Sequence, residues 1–201
     1  MAAVQALGEI GSAEAVPALS KAFLERGLAP TNVVNDALRR IGGEDTGPTF
    51  ERGSASPDPI VRVSSCYGLA GVASTHGSAV YRLNEVLASD PDACVRAAAA
   101  AALGIAGGGS APDALVAATS DPDDNVRRSA VRALGSFDDP GTAETLDGRT
   151  EDEDREVAIR AAESLLELAR RPRAAAAARA RLESSSAWAV EYARKVAAVG
   201  G

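Results

Sequence analysis

The side chains best suited to chemistry are few and scattered along the 201 residues. His76 is the single histidine and stands before Gly77 at a turn. With no second histidine and no nearby cysteine it is expected to be a solvent-exposed turn residue, not a base or a metal ligand. Cys66 and Cys94 make no CxxC pair and cannot form a disulfide framework, so both are expected to be buried as small apolar groups. The run Glu151-Asp152-Glu153-Asp154 offers hard oxygen ligands for a divalent cation, but it lacks the glycine and spacing of a calcium loop. As the acidic cap of a helix starting near Arg155 it is fully accounted for. Gly107-Gly108-Gly109-Ser110 follows a helix, and no Lys-Ser/Thr comes after it, which makes it a flexible turn and not a phosphate loop. Glu163 and Glu167 lie one helical turn apart, yet paired acids need a cleft to do acid/base work. No catalytic dyad, cofactor site or metal site emerges, and the chain is read as non-enzymatic.

Composition narrows the partners. The formal charge of −7 and pI of about 4.8 argue against a chain whose main task is to hold phosphates or an anionic membrane. The charge is segmented: residues 155–201 carry nine cations against five acids, and residues 121–154 four against eleven. The N-terminus lacks the cationic segment of a signal peptide, its first cation being Lys21. The most apolar stretch, 97–111, is too short to span a bilayer. A soluble cytoplasmic protein with no membrane partner is expected. Apolar residues make up 46% and aromatics only 3%; much of the apolar share is alanine, which suits closely stacked helices.

Those helices recur. Asp90-Pro91-Asp92-Ala93-Cys94-Val95-Arg96 leads to Leu103-Gly104, and Asp121-Pro122-Asp123-Asp124-Asn125-Val126-Arg127 leads at the same offset to Leu134-Gly135. Extending the frame places Leu7-Gly8, Ile41-Gly42, Leu69-Ala70 and Leu165-Leu166 at the equivalent position, a period of about 32 residues. Within one unit Val126, Ala130, Val131, Ala133 and Leu134 form one helical stripe, with Arg127, Arg128 and Arg132 largely off it. The Asp-Pro-Asp-Asp start supplies a cap, a first-turn proline and acids at the positive end of the helix dipole. A second helix is expected to follow in each unit, as over 13–26, 78–88, 112–119 and 172–183. Each unit is then a helical hairpin too small to bury its own apolar stripes, so neighbours must stack.

The Asp-Pro…Val-Arg…Ala…Leu-Gly pattern resembles the short bacterial and archaeal HEAT-like repeats named after phycobilisome lyases. The resemblance covers essentially the whole chain as a single repeat domain, 1–201, with approximate repeats 1–30, 31–55, 56–89, 90–120, 121–150, 151–185 and a partial 186–201. It implies an all-α, right-handed α-solenoid of stacked HEAT-like hairpins, about six plus a terminal helix. It also implies that the Asp and Arg six apart, Asp90…Arg96 and Asp121…Arg127, tie adjacent hairpins at their turns. Ala158 and Glu191 replace that arginine in the last units, so the ladder should weaken there. Met1 begins inside a first helix and Ala187 to Val199 is a first helix without a partner, so a truncated or naturally short solenoid is expected, a monomer ahead of a specific oligomer. Trp188 and Tyr192, four apart, share a helix face assigned to terminal packing.

In solenoids of this kind the second helices line the concave side, where partners dock. Side chains there off the apolar stripe are Lys21, Glu25, Tyr81, Asn84, Glu85, Arg173, Arg179 and Arg181, with Tyr and Arg favoured as interface anchors. The expected function is a non-enzymatic interaction or scaffold module that binds an unidentified protein or peptide. Two alternatives carry distinct requirements. A bilin-lyase-like accessory subunit would need chromophore-pocket residues that are not evident. A HEAT-like DNA glycosylase or DNA-binding protein would need a groove lined with cations and aromatics, and nucleic acid is not expected as a partner.

Overall fold

The computed structural model describes residues 2–25, 30–42, 46–107 and 113–199. Among them the chain is all-α, an α-solenoid of helical hairpins with thirteen helices and no strand. The pairs are α1 (Ala2–Ile10) with α2 (Val16–Leu24), α3 (Thr31–Ile41) with α4 (Gly47–Gly53), and α5 (Pro59–Val72) with α6 (Ala79–Ser89). There follow α7 (Ala93–Ala106) with α8 (Asp113–Ala118), α9 (Asp124–Leu134) with α10 (Thr142–Arg149), and α11 (Arg155–Leu168) with α12 (Ala175–Ser184); α13 (Ala187–Val199) is the terminal helix. Two second helices, α4 and α10, lie where no apolar stripe announced them. Gly108 to Ser110 and the expected second-helix ends Arg26 and Pro112 lie outside the described residues.

Aspartate starts the first helices as its chemistry predicts. Asp58 accepts from the Ile60 N–H, Asp92 from Cys94, Asp123 from Asn125 and Asp154 from Val157, all at 2.8–2.9 Å, so each carboxylate satisfies an orphan donor of the first turn. The acidic run therefore divides its work, with Asp154 as the cap and Asp152 buried beneath it.

The chain forms two compact units, Met1–Ala102 and Leu103–Gly201. In the first, Phe23 and Phe50 meet edge to face with centroids 5.6 Å apart, and Gly68 leaves the space that the Phe50 ring fills. Leu38, Leu69 and Leu83 are fully buried around them. The second unit buries Leu103, Leu134, Leu146, Leu165 and Phe137.

Helix contacts correct the repeat register. A Cβ on Gly8 would fall 2.8 Å from the Ala37 Cα, one on Gly104 2.9 Å from the Ala133 Cβ, and one on Gly135 3.0 Å from the Ser164 Cβ. Each contacted residue stands 29 positions on and immediately precedes a fully buried leucine, Leu38, Leu134 or Leu165. The equivalent of Leu134 in the second repeat is therefore Leu38, not Ile41, and the frame leucines fall at 31, 31, 34, 31 and 31 residues. Ile41-Gly42 imitates the motif because α3, like α1 and α7, ends three residues past its frame leucine at a glycine of positive φ, so Gly42 (64°) is the counterpart of Gly11 (70°) and Gly107 (68°) and not of Gly135.

Three expectations about single residues also change. Cys66 is buried, and burial pushes its thiol up to about 12, but Cys94 is exposed in the first turn of α7. His76 is not a free turn residue: its ring packs over Gly47 and its side chain is only 17% exposed. Trp188 and Tyr192 face outward at 43% and 46% exposure. The packing face of α13 is made instead by Ala189, Val190 and Ala193 against Ala162 of α11, because small side chains let the helices approach. Arg155 lies over the Trp188 ring, 5.2 Å from its centroid.

Candidate functional site

The repeated charges hold hairpins together. Arg62 sends Nε and Nη2 to both oxygens of Asp90 at 2.8 and 3.0 Å, and Nη1 to the Ser56 and Pro57 carbonyls. Arg127 repeats the pattern with Asp152 at 3.1 and 3.0 Å and with the Asp121 and Pro122 carbonyls. Arg96 bonds the Asp90 and Pro91 carbonyls in the same way. The six-residue spacing is thus a bond to the aspartate's carbonyl within one repeat, while the cross-link runs from one repeat's arginine to the next repeat's carboxylate. Burial alone would raise the Asp152 carboxyl; the Arg127 fork, the Asp154 amide and the charge of Arg149 outweigh it and hold the group below its ordinary value. Where Ala158 replaces the arginine, the start of the last repeat is tied back to α10 instead, through the Ser186 N–H to Thr150 Oγ1 and the Ser185 hydroxyl to the Asp147 carboxylate.

Surface side chains on the second helices are differently placed. Between α2 and α4 of the first unit lies a groove of about 670 Å³ with Val16, Pro17, Leu24 and Pro48 as apolar lining and Lys21, Glu25 and Arg52 at its edges. All three charged side chains are exposed. Arg52 also borders a second depression with Glu51, Ser78, Tyr81, Arg82 and Glu85, so one arginine adjoins both surfaces. Tyr81 is 66% exposed there. Of the side chains singled out from the sequence, Lys21 and Glu25 line the groove and Tyr81 and Glu85 the second depression. Arg52 was missed, since Gly47-Pro48-Thr49-Phe50-Glu51-Arg52-Gly53 shows no helical stripe. Asn84 is turned inward, with its Oδ1 buried and unpaired.

Beside this face, Glu51 accepts from the Ser78 hydroxyl, and His76 Nε2 lies 3.1 Å from the same Oε1. The Ser78 bond, helped by His76 and Arg82, holds Glu51 below the usual carboxylate range despite its partial burial. Here the acid stands between hydroxyl and imidazole, whereas nucleophilic catalysis needs the imidazole between acid and hydroxyl. The cluster clamps α4 to the turn before α6.

In the second unit the predicted arginines take three roles. Arg181 lies 3.6 Å from Glu144 and 3.9 Å from Asp147; the Arg173 backbone N–H is held by Asp138 at 3.0 Å; Arg179 is exposed on α12. The structure does not gather them into one site. One cavity of this unit, about 500 Å³, lies between α11 and α13, lined by Leu166, Ala169, Ala193 and Val196 with Glu163, Glu167, Arg170 and Arg194; another, about 530 Å³, is polar and surrounds the Arg127–Asp152 cross-link. Among the described residues no three His, Cys, Asp or Glu side chains group as metal ligands, and no helix is long and apolar enough to cross a membrane.

The family description "HEAT repeats" matches residues 48–121 and 112–198, and "PBS lyase HEAT-like repeat" matches residues 1–25. The chain belongs to the HEAT-repeat family. Among solved structures, this HEAT-repeat chain is similar to the complex of CpcE and CpcF of phycocyanin lyase from Nostoc sp. PCC7120, at 20% identity and TM-score 0.53, over 94% of this chain and 84% of that one. Human deoxyhypusine hydroxylase in complex with glycerol aligns at 22% identity and TM-score 0.45, over 96% and 76% of the two chains. An engineered protein aligns at 23% and 0.48, over 84% and 80%. No curated protein matches. At these identities the likeness to the lyase complex speaks for the HEAT-repeat fold alone.

Proposed function

We propose that this HEAT-repeat chain is a non-enzymatic interaction or scaffold module that receives a protein or peptide on the second-helix face of its first unit. The observation that carries the reading is the single surface formed by the α2/α4 groove, Arg52 and the exposed Tyr81. It joins an apolar lining to charged edges and an amphipathic aromatic anchor, the anatomy of a protein interface. The lining side chains include no thiol, hydroxyl–imidazole pair or carboxylate pair able to do bond chemistry. A nucleic acid groove would want stacked aromatics along a cationic track, and the α2/α4 lining contains no aromatic side chain. The accessory-subunit reading draws only on the PBS lyase repeat match over residues 1–25.

A photo-crosslinking benzoylphenylalanine placed at position 81, with a control at the exposed Ile60 of α5, tests the face in the native cell. A discrete adduct from position 81 and none from position 60 is expected. An adduct from position 60 alone would move the interface to the first-helix side and overturn the reading.

A further inference from the structure

We infer that the α2/α4 groove selects a short peptide segment that combines acidic with bulky aliphatic side chains. The inference rests on the protein-binding reading above and names the chemistry of the partner. It starts from the charge state of the groove. Arg40 has Asp36, Arg62 has Asp90 and Arg82 has Glu85 as ion-pair partners in this unit. Among the described residues of this unit Lys21, Arg39 and Arg52 have no ion pair, and of these Lys21 and Arg52 border the groove. An exposed cation at the edge of an apolar lining offers a ligand's carboxylate a charged hydrogen-bond partner beside apolar contact.

The apolar lining sets the second requirement. Val16 and Pro17 open α2, Leu24 closes it, and Pro48 stands in the first turn of α4. Neither proline offers an N–H to a ligand, so recognition here depends on apolar contact and on the two cations more than on backbone bonds. A volume of about 670 Å³ accommodates a few aliphatic side chains, against roughly 300–1,000 Å³ for pockets that enclose small ligands. Glu25, at the end of α2, disfavours an acid at that end and so fixes where the ligand's carboxylates lie: beside Lys21 and Arg52. Beyond Arg52 the segment reaches Tyr81.

Selection from a displayed library of random 12-residue peptides, against the full chain and against its Lys21→Glu/Arg52→Glu variant, reads this directly. The wild type is expected to enrich Asp and Glu interspersed with Leu, Ile or Val, and the variant to enrich Lys and Arg in place of the acids. By fluorescence anisotropy, the leading acidic peptide should lose about tenfold in affinity to Arg52→Gln, with unchanged melting, and lose affinity further with added salt. Arg52→Gln keeps the test sound if the double reversal does not fold. Enrichment of basic or uncharged peptides on the wild type would overturn the inference, as would equal binding of the acidic peptide to Arg52→Gln. So would displacement of that peptide by a 15-residue oligothymidylate that binds more tightly. A crosslink at position 81 alongside any of those results would leave the protein-binding face standing and remove only its acidic specificity.

Discussion

The second helices of the two units treat their charges in opposite ways. In the first unit α2 and α4 are separated by a groove whose cations, Lys21 and Arg52, lack ion pairs among the described residues. In the second unit α10 and α12 are laced together, with Arg181 near Glu144 and Asp147 while Asp147 also accepts from the Ser184 and Ser185 hydroxyls. The first helices, by contrast, follow the same plan in both units, with aspartate caps and an Arg–Asp cross-link in each. Stability therefore resides in what repeats, and the proposed recognition in what departs from the repeat.

The comparison breaks most easily at the frame leucines. If the two units share one frame, Leu38→Ala and Leu134→Ala should each cost about 2–5 kcal/mol, since both side chains are fully buried. Ile41→Ala, at a half-buried site, should cost markedly less. Chemical denaturation of the three variants measures this. Equal losses for Leu38 and Ile41 would restore the register read from Leu-Gly look-alikes.

That register shows how far the sequence could be read. Two repeats, 90–120 and 121–150, carry Asp-Pro, Val-Arg and Leu-Gly together, and from them the hairpin count and all-α class followed. Leu38 escaped because its frame glycine is Arg39 while Gly42, four residues on from the leucine, supplies a false match. The Arg62–Asp90 bond was hidden because Ser56 stands where the motif expects aspartate; its hydroxyl accepts the Asp58 N–H instead. The candidate face was legible at Lys21 and Tyr81, which lie off apolar stripes, but not at Arg52, whose seven-residue helix is defined by packing of Phe50 and not by periodicity.

Next in size is the cross-link itself. Arg127→Ala should cost about 2 kcal/mol, because it strands Asp152, only 4% exposed, with fewer partners. The pH dependence has a defined sign. Asp152 titrates below its ordinary 3.8 in the folded chain, so its contribution is complete above that value and is lost as pH falls through the lower folded value. Asp152→Asn should accordingly unfold over a flatter acid range than the wild type. Thermal melts between pH 2 and pH 6 compare the two; parallel acid curves would show that the carboxylate contributes nothing through its charge.

The smallest effects separate the two second-helix faces. Arg181→Ala removes a half-exposed cation from Glu144 and Asp147, which should cost up to about 1 kcal/mol and less at high salt. Arg52→Ala and Lys21→Ala remove exposed cations that have no ion pair among the described residues, and should change stability by no more than about 0.5 kcal/mol. Denaturation at low and high salt distinguishes the sets. A salt-dependent loss at Arg52 equal to that at Arg181 would mean that Arg52 is already engaged within the chain. A cation so engaged would not be available to a carboxylate from outside, and the contrast between a laced face and an open one would disappear.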